Sequence, residues 1–313
     1  MIKLWKDTFH DSDSYINLVF DTYFNRDNAF VRYDGETLSA ALLSIPYEFR
    51  YFNGIESRLR GMYLCGLATR PEFRRRGIMA DLMHEAEEAI AARGYDLTFL
   101  IPADDHLREY YKRMGYYDAS YKTISTYTCN PDNRSSELYI YTIRDIIKSG
   151  DPGIIREIAV WCRGIEEKQL TDPCLLHSER DMQAVISENE NSIFVSNEPI
   201  DLKYPILTNI VSVAFPEIIS DNRDDIRVRI VGLYINNGNS HFQSGVKVKE
   251  LKELAEEICH FYKVSRLELA LANPIRIGKR IGENPYAMVK SIGNTHIFND
   301  KMKLIFNISL MLD

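Results

Sequence analysis

Long apolar runs are absent from this 313-residue chain: nothing approaches the ~18–20 uninterrupted apolar residues of a membrane-spanning helix. The opening stretch MIKLWKDTFHDSDSY also lacks the apolar region of a secretory signal. Basic excess is missing too. Lys and Arg number 38 against 45 Asp and Glu, a net charge of −7, which disfavours a general nucleic-acid role because such binders carry a basic footprint. Cysteine is sparse: Cys65, Cys129, Cys162, Cys174 and Cys259 are scattered, odd in number and never in a Cys-x-x-Cys pair. A zinc site and a disulfide framework are therefore not expected, and all five read as reduced thiols. The His84-Glu85 pair is not a zinc motif either, because Glu88 stands where HExxH needs its second histidine. The expectation is a soluble, cytoplasmic protein with no metal, no nucleic-acid partner and no membrane partner.

At this length the chain fits two domains. In the first half, weak alternation over Lys3–Phe9 predicts an opening strand. Asp11 or Ser12 then caps a helix with an Ile16, Val19, Phe20, Tyr23 stripe. Strands are predicted at 30–32, 40–44, 49–52 and 61–69, with Asp34-Gly35 and Asn53-Gly54 as turns. From Gly77 the period becomes helical, through Ile78, Leu82, Ala86, Ala89 and Ile90, until Gly94. A buried-type strand at 97–101, a short helix at 105–114 and a long strand at 116–128 follow. The turn-rich run Asn130–Ser136 reads as a linker. It divides the chain into residues 1–130 and 137–313. The second half is predicted as α/β, with helices at 142–148, 154–161, 179–188 and 247–262. Its strands fall at 193–196, 206–215, 228–235, 267–272 and 304–312. The run Ile275–Pro285 carries glycines and cations but reads as a loop, since no clear strand and helix flank it.

The chemical signal lies in Arg70-Pro-Glu-Phe-Arg74-Arg75-Arg76-Gly77-Ile78-Met79. A strand ends at a proline and a helix begins at a glycine a few residues later. Unpaired amides at that helix start, together with its macrodipole, favour a phosphate. Alone, three arginines would suit a solvated surface run; strand before and helix after make it a phosphate cradle. Downstream stands Asp104-x-x-Leu107-x-x-x-Tyr111-Lys-Arg-Met-Gly115-Tyr116. A phenol near pKa ~10 beside a leaving thiolate near ~8.5 makes proton transfer feasible, although core aromatics would also explain Tyr110 and Tyr111.

Together these segments resemble the GCN5-related N-acetyltransferases (GNAT), whose signature is R/Q-x-x-G-x-G/A followed by a helix. The bulky Met79 in place of glycine or alanine resembles the Eis-like branch, which carries a further domain. The resemblance implies a GNAT-like α/β (α+β) fold in residues 1–130: a mixed, mostly antiparallel sheet flanked by helices. For residues 137–313 it implies an α/β domain, read here as a degenerate GNAT-like fold lining the acceptor cleft. It further implies acetyl-CoA as acyl donor. Leu67, Ala68 and Thr69 would bond the pantetheine arm. Arg74, Arg75, Arg76, Gly77, Ile78, Met79 and Ala80 would cradle the pyrophosphate, and Asp104 takes the position of a cofactor-contacting asparagine. Tyr111 occupies the general-acid position, and Asp313, at the chain's end, the branch's terminal-carboxylate base; Glu56 and a relayed water are comparable base candidates. The implied reaction is direct acetyl transfer to an amine of a small molecule or peptide, compatible with a homo-oligomer. Another acyl donor or acceptor, or a non-catalytic CoA-binding module, remains open at this point.

Overall fold

The structure is a computed structural model, described at residues 1–52, 55–132, 138–149, 153–168, 174–200, 210–220, 226–235, 248–271 and 279–292. The chain opens with a helix rather than a strand: α1 (Ile2–Phe9) buries Leu4 and Trp5, and Thr8 Oγ1 donates to the Leu4 carbonyl at 2.7 Å. A seven-residue window fits an alternating strand and a helical stripe about equally, and tertiary packing decides. Ser12 caps α2 (Asp13–Tyr23), its hydroxyl accepting from the Tyr15 amide at 3.1 Å, and Ile16, Val19, Phe20 and Tyr23 are buried.

A first sheet begins with β1 (Ala29–Asp34), β2 (Thr37–Phe52) and β3 (Glu56–Thr69), so the separate short strands expected around 40–52 are one long strand. It continues through α3 (Ile78–Ala92), β4 (Leu97–Leu100), α4 (Asp105–Arg113) and β5 (Tyr117–Asp118). The next strand, β6 (Tyr121–Thr128), leaves this sheet for a second one. The later elements are β7 (Tyr139–Thr142), α5 (Ile143–Ser149), α6 (Gly153–Lys168), β8 (Cys174–Leu176), α7 (Glu179–Glu188) and β9 (Ile193–Ser196). After them come β10 (Ile210–Ser220), β11 (Ile226–Ile235), α8 (Val248–Tyr262), β12 (Arg266–Leu271), β13 (Lys279–Pro285) and β14 (Met288–Ser291).

The two sheets exchange strands. The first runs β1-β2-β3-β4-β14-β5, with β8 pairing β2; the second runs β13-β6-β12-β11-β10-β9-β7. Each contains one parallel pair joined through a helix, β3–α3–β4 and β11–α8–β12, within otherwise antiparallel pairing. Each parallel pair is then extended by a strand from the other half, β14 beside β4 and β6 beside β12. Where the two crossing segments meet, the Ala119 and Ser120 amides donate to the Ala287 carbonyl and Tyr286 N–H donates to Ser120 O at 2.8 Å. The run read as a loop is thus strand over Lys279–Pro285. Its partner β6 is remote in sequence, and a register shift at Arg280/Gly282 hides its alternation.

Helices α6 and α7 lie against the face of the first sheet that α1 and α2 cover, in a common core with Trp5, Phe20, Tyr47, Phe99 and Tyr234. Arg50, fully buried on β2, donates to the Glu166 carbonyl at 2.8 Å and to that of Glu167, at the C-terminal end of α6 where a cation is favoured. The opposite face carries α3 and α4 over Leu42, Leu64, Leu100 and Met288.

One cysteine expectation fails. Cys129, just after β6, is disulfide-bonded to Cys259 of α8, whereas Cys65, Cys162 and Cys174 are free and buried. The strand exchange sets β6 beside β12, directly after α8, so cysteines 130 positions apart become neighbours. Closing so long a loop restricts the unfolded chain. Reduction is expected to lower unfolding stability by about 2–4 kcal/mol, seen as a lower urea midpoint with dithiothreitol. An unchanged midpoint would mean the bond contributes nothing in solution.

Candidate functional site

β3 pairs in parallel with β4 only through Gly61↔Leu97, Met62↔Thr98 and Tyr63↔Phe99. Beyond Tyr63, β3 continues to Thr69 against β2 alone, and no described strand covers its other edge. Backbone donors and acceptors along Leu64–Thr69 are therefore available to an extended ligand, as at the edge of any sheet. The expected pantetheine-contacting residues Leu67, Ala68 and Thr69 all lie on this segment.

Sequence reading missed how the segment bends. A bulge against β2 falls where Ala41 pairs Ala68 but Leu43 pairs Cys65, and Gly66 within it has φ +59°. A β-carbon at Gly66 would stand 2.1 Å from Cζ3 of Trp5. A lone glycine inside a strand pattern was the available signal. Gly66→Ala is expected to destabilise by about 2–4 kcal/mol, from the left-handed backbone and the clash together. Chemical denaturation measures this, and a loss below about 0.5 kcal/mol would show that Trp5 simply moves aside.

At the end of β3 the chain makes a one-turn 3-10 helix, Pro71–Phe73, and reaches α3 through Arg74–Gly77. Arg75 (φ 63°) and Gly77 (φ 77°) are both left-handed, and Gly77 is the N-cap of α3. A left-handed arginine costs on the order of 1–2 kcal/mol, and such strain collects at ligand-binding turns. The amides at the start of α3 have no partner within their own helix. No atom lies within 4 Å of the position a Gly77 β-carbon would take, so a ligand can approach the backbone. Arg74 Nε donates to the Thr69 carbonyl at 3.1 Å, and the Arg76 guanidinium lies 5.1 Å from the centre of the Phe73 ring. Among the described residues none of Arg74, Arg75 and Arg76 has a carboxylate partner. The turn thus presents uncompensated positive charge in an acidic protein.

Tyr111 is buried on α4 in the same core as Leu64, Leu82 and Met83. Its ring meets Tyr110 and Tyr116 edge-on, at 5.3 and 6.0 Å between centres. The hydroxyl makes no hydrogen bond within the described residues. Burial first, then Tyr110 and Asp104, push this phenol well above its ordinary pKa, so it keeps its proton throughout the neutral range. Asp104 acts locally as the cap of α4, its carboxylate accepting from Leu107 N–H at 2.7 Å.

The base candidates fare differently. Glu56 opens β3 and is exposed, about 40 Å along the strand from Thr69 and ion-paired to Arg58 at 3.5 Å. Asp313 lies outside the described residues. A cavity of about 360 Å³ between the halves is lined by Tyr47, Arg60, Tyr95, Glu167, His177 and Asp181. It sits beside Gly61, about 16 Å down the strand from Gly66, away from the open edge.

Residues 1–119 match the family model described as "Acetyltransferase (GNAT) domain". These residues are thus similar to a GNAT domain. Comparison with curated proteins finds no significant match. Among solved structures, the chain resembles a probable N-acyltransferase from Enterococcus faecalis V583 and a GCN5-related N-acetyltransferase from Anabaena variabilis ATCC 29413. Both give a TM-score of 0.62 at 13% identity, covering 93% of this chain and 69% of theirs. Eis1 from Mycobacterium abscessus follows at TM-score 0.60 and 11% identity, with the same coverage. At such identities the likeness concerns the fold, and it extends over both halves. The expected likeness to the Eis-like branch is therefore found at the level of the fold.

Proposed function

We propose that the protein is an acetyl-CoA-dependent N-acetyltransferase acting on an amine of a small molecule or peptide. The observation that carries this is the uncovered β3 edge, Leu64–Thr69, between the Gly77 turn and the buried Tyr111. Edge, turn and unpaired arginines fit the pantetheine arm and pyrophosphate of an acyl-CoA, which supplies an activated thioester. Amides of Arg76 to Ala80 hold the pyrophosphate at the start of α3, and the arginines neutralise it. Backbone N–H groups near the Gly66 bulge polarise the carbonyl. Tyr111 gives its proton to the sulfur as the amine nitrogen takes the acetyl group. The amine must arrive neutral, and Asp313 remains the proposed acceptor of its proton.

Residues 137–313 are proposed to wall the acceptor side, because α7 packs against α2 on the face opposite α3. The reading places the reaction in the cytoplasm, where Cys129–Cys259 would have to persist in a reducing milieu. Calorimetric titration with acetyl-CoA tests the donor, and release of free CoA thiol across an amine panel tests the transfer. No binding at high micromolar acetyl-CoA would end this reading.

A further inference from the structure

A buried charged knot ties the cofactor helix, the Tyr111 helix and the second half together. Glu87, on α3, is only 4% exposed, an unusual state for a carboxylate. Its Oε1 accepts from Tyr116 O–H at 2.8 Å and its Oε2 from Lys290 Nζ at 2.5 Å. Since Tyr116 spends its proton on Glu87, the Thr98 hydroxyl, 2.9 Å away, donates to the Tyr116 oxygen. Lys290 belongs to β14, the strand lent by the second half, and stands opposite Thr98 in register. Its stem passes Gly115, where an added β-carbon would lie 3.5 Å from Lys290 Cε. Its ammonium is 5.7 Å from the centre of the Tyr116 ring.

Tyr116 is the group through which this knot reaches the proposed acid. Its ring packs edge-on against Tyr111, and its amide donates to the Tyr111 carbonyl at 3.1 Å. The knot therefore joins α3, whose N-terminus is the cofactor turn, to the end of α4, whose last turn carries Tyr111. An ion pair whose carboxylate is this deeply buried is a costly way to add stability, and losing the lysine, whose side chain is 25% exposed, leaves a stranded charge. Its value lies in fixing geometry, because small misplacements of a reacting group cost rate steeply.

We propose that Lys290, supplied by the second half, is a positioning residue of the acyl-transfer site, setting through Glu87 and Tyr116 where Tyr111 stands relative to the cofactor turn. The proposal rests on the reading of Tyr111 as general acid, and it explains why the GNAT domain is built with a strand from elsewhere in the chain.

The test uses the full chain labelled with ¹³Cζ-tyrosine, the Tyr111 resonance being assigned by its loss in Tyr111→Phe. In the ligand-free protein, Lys290→Met and Tyr116→Phe are each expected to shift or broaden that resonance, and Lys290→Arg to restore it. With acetyl-CoA and the best amine of the panel, both variants should lose about tenfold in kcat while acetyl-CoA affinity stays within about twofold. A Tyr111 resonance and kcat unchanged in Lys290→Met and Tyr116→Phe would overturn the proposal, as would a Lys290→Arg variant no better than Lys290→Met. Should Lys290→Met fail to fold, Tyr116→Phe and Lys290→Arg decide by the same criteria. If the wild type fails to bind acetyl-CoA, the acyl-transfer reading falls, whereas the resonance still reports whether Lys290 positions Tyr111.

Discussion

Replacing Tyr111 by phenylalanine is expected to lower kcat by about 10²–10⁴-fold, the usual worth of a positioned general acid. The affinity for acetyl-CoA should change little, because the ring and its packing against Tyr110 and Tyr116 are retained. The hydroxyl has no hydrogen-bond partner within the described residues, so its removal strands no buried group, and stability should hold within about 1 kcal/mol. The pH profile adds a check. Burial holds the phenol in its acid form above the usual tyrosine range, so wild-type activity should not fall through Tyr111 ionisation below about pH 10. Turnover of Tyr111→Phe within threefold of wild type would remove the tyrosine from the mechanism and leave the proton to solvent.

Gly77→Asp is expected to weaken acetyl-CoA by at least about 100-fold. Two effects combine: the β-carbon enters space the ligand needs, and a carboxylate faces a pyrophosphate. At ~4 Å and an effective dielectric near 20, each such charge pair is worth about 4 kcal/mol, already more than two decades in affinity. The free protein should tolerate the change. No atom crowds the new β-carbon, and aspartate adopts left-handed φ more readily than most residues. Calorimetry and thermal denaturation together separate the effects: binding lost, melting temperature nearly kept. If both fall together, Gly77 is a folding residue and the phosphate cradle is unsupported by this variant.

The segments proposed to hold the cofactor could be read from sequence because they are local. Arginine-rich turn, Gly77, the apolar period of α3 and the Tyr111–Gly115 spacing lie within about forty residues, and local rules read such segments well. Three things escaped. Residues 3–9 were too few to separate an alternating strand from a helical stripe, and only Trp5 packing onto Gly66 decides it. The strand Lys279–Pro285 pairs with β6, more than 150 positions earlier, so nothing near it in sequence announces a strand. Cys129 and Cys259 carry no spacing motif because an exchange of strands, not a local turn, brings them together.

By itself, the sequence carried the resemblance of residues 1–119 to GNAT domains, the turn proposed as a phosphate cradle and the tyrosine proposed as general acid. These depend on backbone conformation and residue type over short spans. Only the tertiary structure decided that β3 is left open beyond Tyr63, that Gly66 bends it against Trp5, and that β14 brings Lys290 to Glu87. Those features arise where distant segments meet. Pairing between such segments is settled by burial and hydrogen bonding in the whole fold, for which no short stretch of sequence carries a signature.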